Sequence, residues 1–256
     1  MARVLLLGGL DPSGGAGITT DATVVTLLGS EPLPVALVTT IQGGRGFLQS
    51  VLIDAAVVQE QIATVLADGP IRAVKVGYVG SALQVRAVAD ALRPLRSQAK
   101  IIVDPVMSAT VGGMGMCEDL VAAYREYLLP IAQLITPNTP ELQALAGGDA
   151  RTLLDQGAEA VLHKGGHGNG PTVVDELWIR EAPAGESPLR FERERFDCGP
   201  VRGTGCALAS AIATFLADQR SLVDACRDAG DWLSALLSRV RPRPSGMPQH
   251  LPLHRA

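Results

Sequence analysis

The chain is poor in aromatic residues. Phe, Tyr and Trp make up 4% of its 256 positions, too few for a surface that stacks nucleic-acid bases in series. Basic residues are not in excess either. The 22 Lys and Arg are outnumbered by 26 Asp and Glu, a formal net charge of -4, which argues against the basic field of a nucleic-acid binder. The one basic cluster, Arg239-Val240-Arg241-Pro242-Arg243-Pro244, is short and reads as a solvated tail. The four cysteines, Cys117, Cys198, Cys206 and Cys226, include no Cys-x-x-Cys pair, which excludes a zinc ribbon or a disulfide framework. Cys117 and Cys226 are expected as small, partly buried core residues. The histidines are four, two of them near the end of the chain, and suggest no metal cluster. No apolar run is long enough to cross a membrane. The run at residues 4–7 is too short for the core of a signal peptide. The expectation is a soluble, cytoplasmic protein with reduced thiols and no nucleic-acid or membrane partner.

Two familiar nucleotide signatures are also missing. No GxGxxG stands in its proper spacing, and no glycine-rich loop ends in Gly-Lys-Ser/Thr. That excludes a dinucleotide-dependent dehydrogenase and a Walker-type loop.

What is present is alternation. Apolar runs at 4–7, 35–40, 73–77, 100–103, 134–136 and 160–164 read as strands. Between and after them, helical spacing appears at 16–28, 53–66, 83–95, 118–129, 140–146, 151–156, 206–216 and 222–240. Asp54 and Ser81 are placed to cap two of these helices. The runs at 172–179 and 189–196 are more polar and suit an antiparallel pair at a sheet edge. Strands alternating with helices predict a mostly parallel sheet covered on both faces. One domain over 1–241 is expected, with a Pro-rich tail at 242–256.

In such a fold ligands sit at the carboxyl ends of the strands, where the glycine-rich and polar clusters fall. Gly203-Thr204-Gly205-Cys206 precedes a helix-prone run. Its N–H groups can converge on an anion at the helix start and meet charge on a phosphoryl group in transfer. A cysteine there is expected to have a lowered pKa. The plainer reading is a glycine turn before a core helix. Asp11-Pro12-Ser13-Gly14-Gly15-Ala16-Gly17 follows the first strand and lets a ligand approach the backbone. Asp21, just beyond, faces either the ligand or solvent. Asn138 and Glu141 can orient a metal near phosphate oxygens, or Asn138 or Thr139 can simply cap a helix. Lysine occurs only at positions 75, 100 and 164. Lys164, at a strand end beside Gly165 and Gly166, suits a phosphate contact.

Together these clusters, with Asp104-Pro105-Val106-Met107, Thr136-Pro137-Asn138-Thr139-Pro140-Glu141 and Lys164-Gly165-Gly166-His167, resemble those of bacterial hydroxymethylpyrimidine/phosphomethylpyrimidine kinases, in the same order. The resemblance runs over nearly the whole chain. It implies a ribokinase-like α/β fold: a three-layer α/β/α sandwich whose central sheet has about eight mostly parallel strands. It also implies a homodimer that uses ATP and Mg2+ to phosphorylate hydroxymethylpyrimidine and then its monophosphate in thiamine synthesis. By position, the resemblance assigns Gly9, Asp21, Gln42 and Tyr78 to the pyrimidine. Asp104, Asn138, Glu141, Lys164 and Gly166 fall to the nucleotide side, with Asp104 and Glu141 toward magnesium. Cys206 matches the proposed base, and Gly203, Thr204 and Gly205 complete the anion hole.

The sequence departs from the family pattern at Gly43 and Gly44, which replace two larger side chains, and at Tyr78, which stands for a methionine. Near Thr110 a lysine is lost. Arg202 precedes the GTGC run and is expected to return a positive charge to the anion hole. A pyridoxal kinase of the same fold and a non-catalytic pyrimidine-binding regulator are the competing readings.

Overall fold

The computed structural model describes residues 1–43, 46–107, 117–182, 188–241 and 248–253. Strand β1 (Arg3–Leu10) shows why the chain folds in layers. Val4 and Leu6 pack into one apolar cluster, Leu5 and Leu7 into another, and none of the four has any exposure. A strand apolar on both faces needs cover on both.

Beside β1 run β2 (Glu31–Gly43) on one side and β4 (Ala73–Val76) on the other, both parallel to it. The sheet extends from β4 through β5 (Lys100–Val103), β6 (Leu134–Ile135) and β7 (Ala160–His163), all parallel. Antiparallel strands close both margins: β8 (Thr172–Ile179) and β9 (Leu189–Glu194) at one, β3 (Gly46–Leu52) at the other. The order is β3-β2-β1-β4-β5-β6-β7-β8-β9. Helices α2 (Ala55–Ala67), α3 (Ala82–Leu92), α4 (Glu118–Ala123), α5 (Thr139–Ala146) and α6 (Ala150–Asp155) cover one face. Helices α1 (Gly17–Leu27), α7 (Thr204–Ala217) and α8 (Leu222–Leu237) cover the other. This is the expected three-layer sandwich. Asp54 and Ser81 cap α2 and α3 as expected, accepting hydrogen bonds from the backbone N–H groups of Ala56 and Gln84.

Several expectations need correction. The sheet has nine strands rather than about eight. The extra one, β3, hid from the sequence because it pairs with β2 alone and leaves Leu48 and Val51 exposed, so its apolar pattern is not that of a core strand. The helix expected at 118–129 is α-helical only to Ala123. It continues as a wider turn over Tyr124–Leu128 and a tight one over Leu129–Ile131, where Pro130 lacks the N–H to propagate an α-helix. Cys117 is exposed, while Cys226 is buried as expected. Past residue 241 the chain returns to the body. Strand β11 (Gln249–His250) pairs in parallel with β10 (Val201–Arg202), and Leu251 and Leu253 are buried in the cluster beneath α7 and α8. Most of the Pro-rich stretch, with Gly44 and Thr110, lies outside the described residues.

Candidate active site

From β1 the chain steps to β2 on one side and later to β4 on the other, so a crevice forms at the carboxyl ends of the strands. A cavity of about 830 Å³ opens there, and all thirteen residues singled out from the sequence line it.

At one end, Gln42 pairs through its backbone with Phe47 of β3, and its side chain makes no hydrogen bond to the described residues, which leaves the amide available to read a ring edge. Tyr78 follows β4. Its ring lies against Gly9, and its hydroxyl is 3.4 Å from Ser50 Oγ on β3. At the floor, Asp21 and Lys75 are fully buried and bonded at 2.8 Å, and Ser210 Oγ donates to the other Asp21 oxygen at 2.8 Å. Burial pulls the Lys75 ammonium down, but Asp21, Cys206 and Asp104 reverse this and leave its pKa above the ordinary value. Asp21 is therefore held from within the protein, beneath the cavity rather than open to solvent.

At the other end, Lys164 follows β7. It donates to Asp104 Oδ1 at 2.7 Å and lies 3.8 Å from Glu141 Oε2. Thr136 Oγ1 also donates to Asp104 Oδ1, at 3.1 Å. Asp104 Oδ2 is buried with no hydrogen-bond partner among the described residues. Asn138 caps α5, accepting from the Glu141 N–H at 2.9 Å, while Glu141 Oε2 accepts the Asn138 N–H at 2.8 Å. The capping reading of Asn138 holds, and the cap orients Glu141 toward Lys164. Burial pushes the Glu141 carboxyl up to about 7, against the pull of Lys164.

Between the two ends stands the amino terminus of α7. Gly203 has φ of 78°, and a side chain there would overlap the Gly15 carbonyl, so only glycine suits the turn. A Cβ built on Gly205 would stand 3.3 Å from Lys164 Nζ. A helix terminus with free N–H groups and a neighbouring ammonium form a site for phosphoryl charge. Gly166 has open space beside it, which admits a ligand close to the backbone.

Two expectations fail here. Cys206 does not have a lowered pKa. Burial pushes its thiol up to about 11, although Lys75 and the Gly17 N–H pull the other way. Desolvation of the thiolate outweighs the helix terminus. Arg202 does not give a free charge to the anion hole. Its Nη2 donates to Asp11 Oδ2 at 2.9 Å, and its Nη1 to Ser13 Oγ at 3.2 Å and to the Gly43 carbonyl at 3.1 Å. The site residues missed from sequence are Lys75, Ser210 and Asp11. Lys75 had a signal, a charge inside the apolar run Ala73-Val74-Lys75-Val76.

Fold and site together define a small-molecule kinase of the ribokinase-like class. Within that class the chain belongs to the phosphomethylpyrimidine kinase family, whose model matches residues 11–250. A hydroxymethylpyrimidine/phosphomethylpyrimidine kinase of Rhizobium meliloti is 36% identical over 93% of this chain and 91% of its own length. The fold is similar to a Clostridium difficile phosphomethylpyrimidine kinase, with a TM-score of 0.77, 27% identity and coverage of 92% of this chain and 99% of that one. It is also similar to a Bacillus subtilis pyridoxal kinase solved with ADP, with a TM-score of 0.86, 25% identity and coverage of 100% and 99%.

Proposed function

We propose that the protein transfers the γ-phosphoryl group of ATP to the hydroxymethyl group of 4-amino-5-hydroxymethyl-2-methylpyrimidine, and then to the resulting monophosphate, in thiamine diphosphate biosynthesis. The observation that carries this reading is the α7 terminus with Lys164 beside it, facing the unpaired Gln42 amide across one cavity. Gln42 and the Gly9–Tyr78 wall hold the pyrimidine ring, and the Asp21–Lys75 pair fixes the floor beneath it. The N–H groups of Gly203-Thr204-Gly205-Cys206 and the Lys164 ammonium meet the charge of the transferring group. Gly166 lets the nucleotide phosphates approach the backbone.

Cys206 is the proton acceptor in this reading. With its pKa near 11, the thiolate is a minor species at neutral pH. A loose phosphoryl-transfer transition state needs little deprotonation of the nucleophile, so most of the rate comes from positioning and charge. The residues also fit Mg2+. Asp104 Oδ2 is a buried acceptor without a partner among the described residues, and a hard cation suits two carboxylates completed by phosphate oxygens and water. Asp104 and Glu141 would hold it, and it would neutralise polyphosphate charge. A homodimer in the cytoplasm completes the reading. The exposed apolar residues Leu48 and Val51 on the edge strand support the dimer, and light scattering in solution tests it.

The deciding experiment follows product masses over time with ATP, Mg2+ and the pyrimidine, and with pyridoxal in a parallel reaction. Monophosphate followed by diphosphate supports the reading. Phosphorylation of pyridoxal alone assigns the site to that vitamer, and no product in either reaction favours the non-catalytic binding protein.

A further inference from the structure

Arg202 joins three segments that the sequence separates widely. Its guanidinium reaches Asp11 and Ser13 in the loop after β1, and the Gly43 carbonyl at the end of β2. It stands immediately before Gly203, the turn into α7. The pairing is well sheltered, with the side chains of Arg202 and Asp11 only 13% and 2% exposed. Asp11 Oδ1 accepts the Ser13 N–H at 2.9 Å and its hydroxyl at 2.7 Å, so the loop is already folded around the carboxylate that Arg202 grips. The strand that carries Arg202 is fixed in turn. It pairs with β11, and Gln249 Nε2 donates to the Cys198 and Arg241 carbonyls. The His250 ring sits where a side chain on Gly15 would point.

We propose that Arg202 is a positioning residue that clasps the loop at 11–17 and the end of β2 onto the start of α7. The proposal rests on the reading above that Gln42 holds the acceptor substrate. Gly43 directly follows Gln42 and has no side chain of its own to fix the backbone, and no atom of the described residues would touch a Cβ placed there. The guanidinium on its carbonyl supplies the anchor instead. A planar fork that bonds a carboxylate and a carbonyl at once is not reproduced by lysine. The clasp also bears on Cys206, because Gly15 and Ala16 of the same loop lie against Gly203, three residues before the thiol.

The test compares the unaltered protein with R202M, R202K and the double variant D11N R202M. The double variant removes the carboxylate that R202M would leave buried and unpaired. Steady-state kinetics give KM for the pyrimidine and for ATP separately. Iodoacetamide labelling read by mass spectrometry gives the alkylation rate of Cys206 without any need for activity. We expect the pyrimidine KM to rise about tenfold in R202M and D11N R202M with the ATP KM changed by less than about twofold. Cys206 alkylation should be several-fold faster in both, with R202K in between. A folded R202M or D11N R202M whose pyrimidine KM and Cys206 alkylation both stay within about twofold of the unaltered protein overturns the clasp. If the unaltered protein phosphorylates no pyrimidine, the functional reading falls, and the alkylation rates alone still decide the clasp.

Discussion

Two buried lysines stand near the carboxyl ends of strands in the same sheet, each bonded to an aspartate, and their surroundings differ. Lys75 and Asp21 have no exposure, and both Asp21 oxygens are bonded, one to Lys75 and one to Ser210. Lys164 has 9% exposure, shares Asp104 with Thr136 and lies near Glu141, and one Asp104 oxygen has no partner among the described residues. The first pair is closed and the second is open to one more charged group. A closed ion pair fixes geometry, because losing either member strands a buried charge. An open cluster has capacity for a ligand. On the proposed function, the difference separates the floor of the site from its working end.

Breaking the closed pair should give the largest effect on stability. Lys75→Met leaves Asp21 buried and alone and should cost about 3–5 kcal/mol, read by chemical denaturation. Replacing both members, in K75M D21L, should recover much of that loss, since an apolar pair of similar volume removes the stranded charge. The open cluster should respond in rate instead. Lys164→Met should lower kcat by about 10²–10³, the effect of removing one donor to transition-state charge, with a smaller change in the denaturation midpoint than K75M. If both variants lose stability equally and neither loses rate selectively, the distinction between floor and working end fails.

The pH dependence sharpens the comparison where the two regions meet, at Cys206. Its thiol is pushed up to about 11 from an ordinary 9.0. If the thiol accepts the proton late in the transfer, the thiolate adds rate on top of positioning and charge, so kcat/KM should climb toward alkaline pH as the thiolate fraction grows below that pKa. Cys206→Ala should flatten the climb. A flat profile in the unaltered protein would remove the base assignment. The same shift affects stability. A raised folded pKa contributes stability that is whole below pH 9 and is lost as pH rises through about 11. Denaturation midpoints should fall over that window, and less so in the alanine variant. The smallest effect is at the cap. Asn138→Ala should cost about 1 kcal/mol of stability and loosen Glu141, which a modest rise in the KM for Mg-ATP would report.

The closed and open regions were not equally legible in the sequence. The working end was, because it is built from residues next to strand ends: Asp104 after β5, the Asn138 cap after β6, Lys164 after β7. Local pattern places such residues without knowledge of the tertiary fold. The floor was not. Asp21 reads as a helix carboxylate and Ser210 as a small helix residue. Only their meeting with Lys75, 54 and 135 positions away in sequence, makes them a unit. The same holds for β11, whose two residues become a strand only by pairing with β10. The thiol of Cys206 was misjudged for a related reason. The helix terminus that lowers a pKa is visible in a motif, and the burial that raises it is a property of the whole fold. The resemblance to a kinase family located all thirteen residues at the cavity, but it could not say which were paired off and which were free.

The measurement that bears most directly on the account is a single turnover of Mg-ATP with the pyrimidine, quenched over time, in the unaltered protein and in Lys164→Met at saturating nucleotide. The account predicts that nucleotide still binds and that the transfer step slows by about 10²–10³. A transfer step of unchanged rate would contradict it, and would move the phosphoryl charge away from the Lys164 end of the cavity.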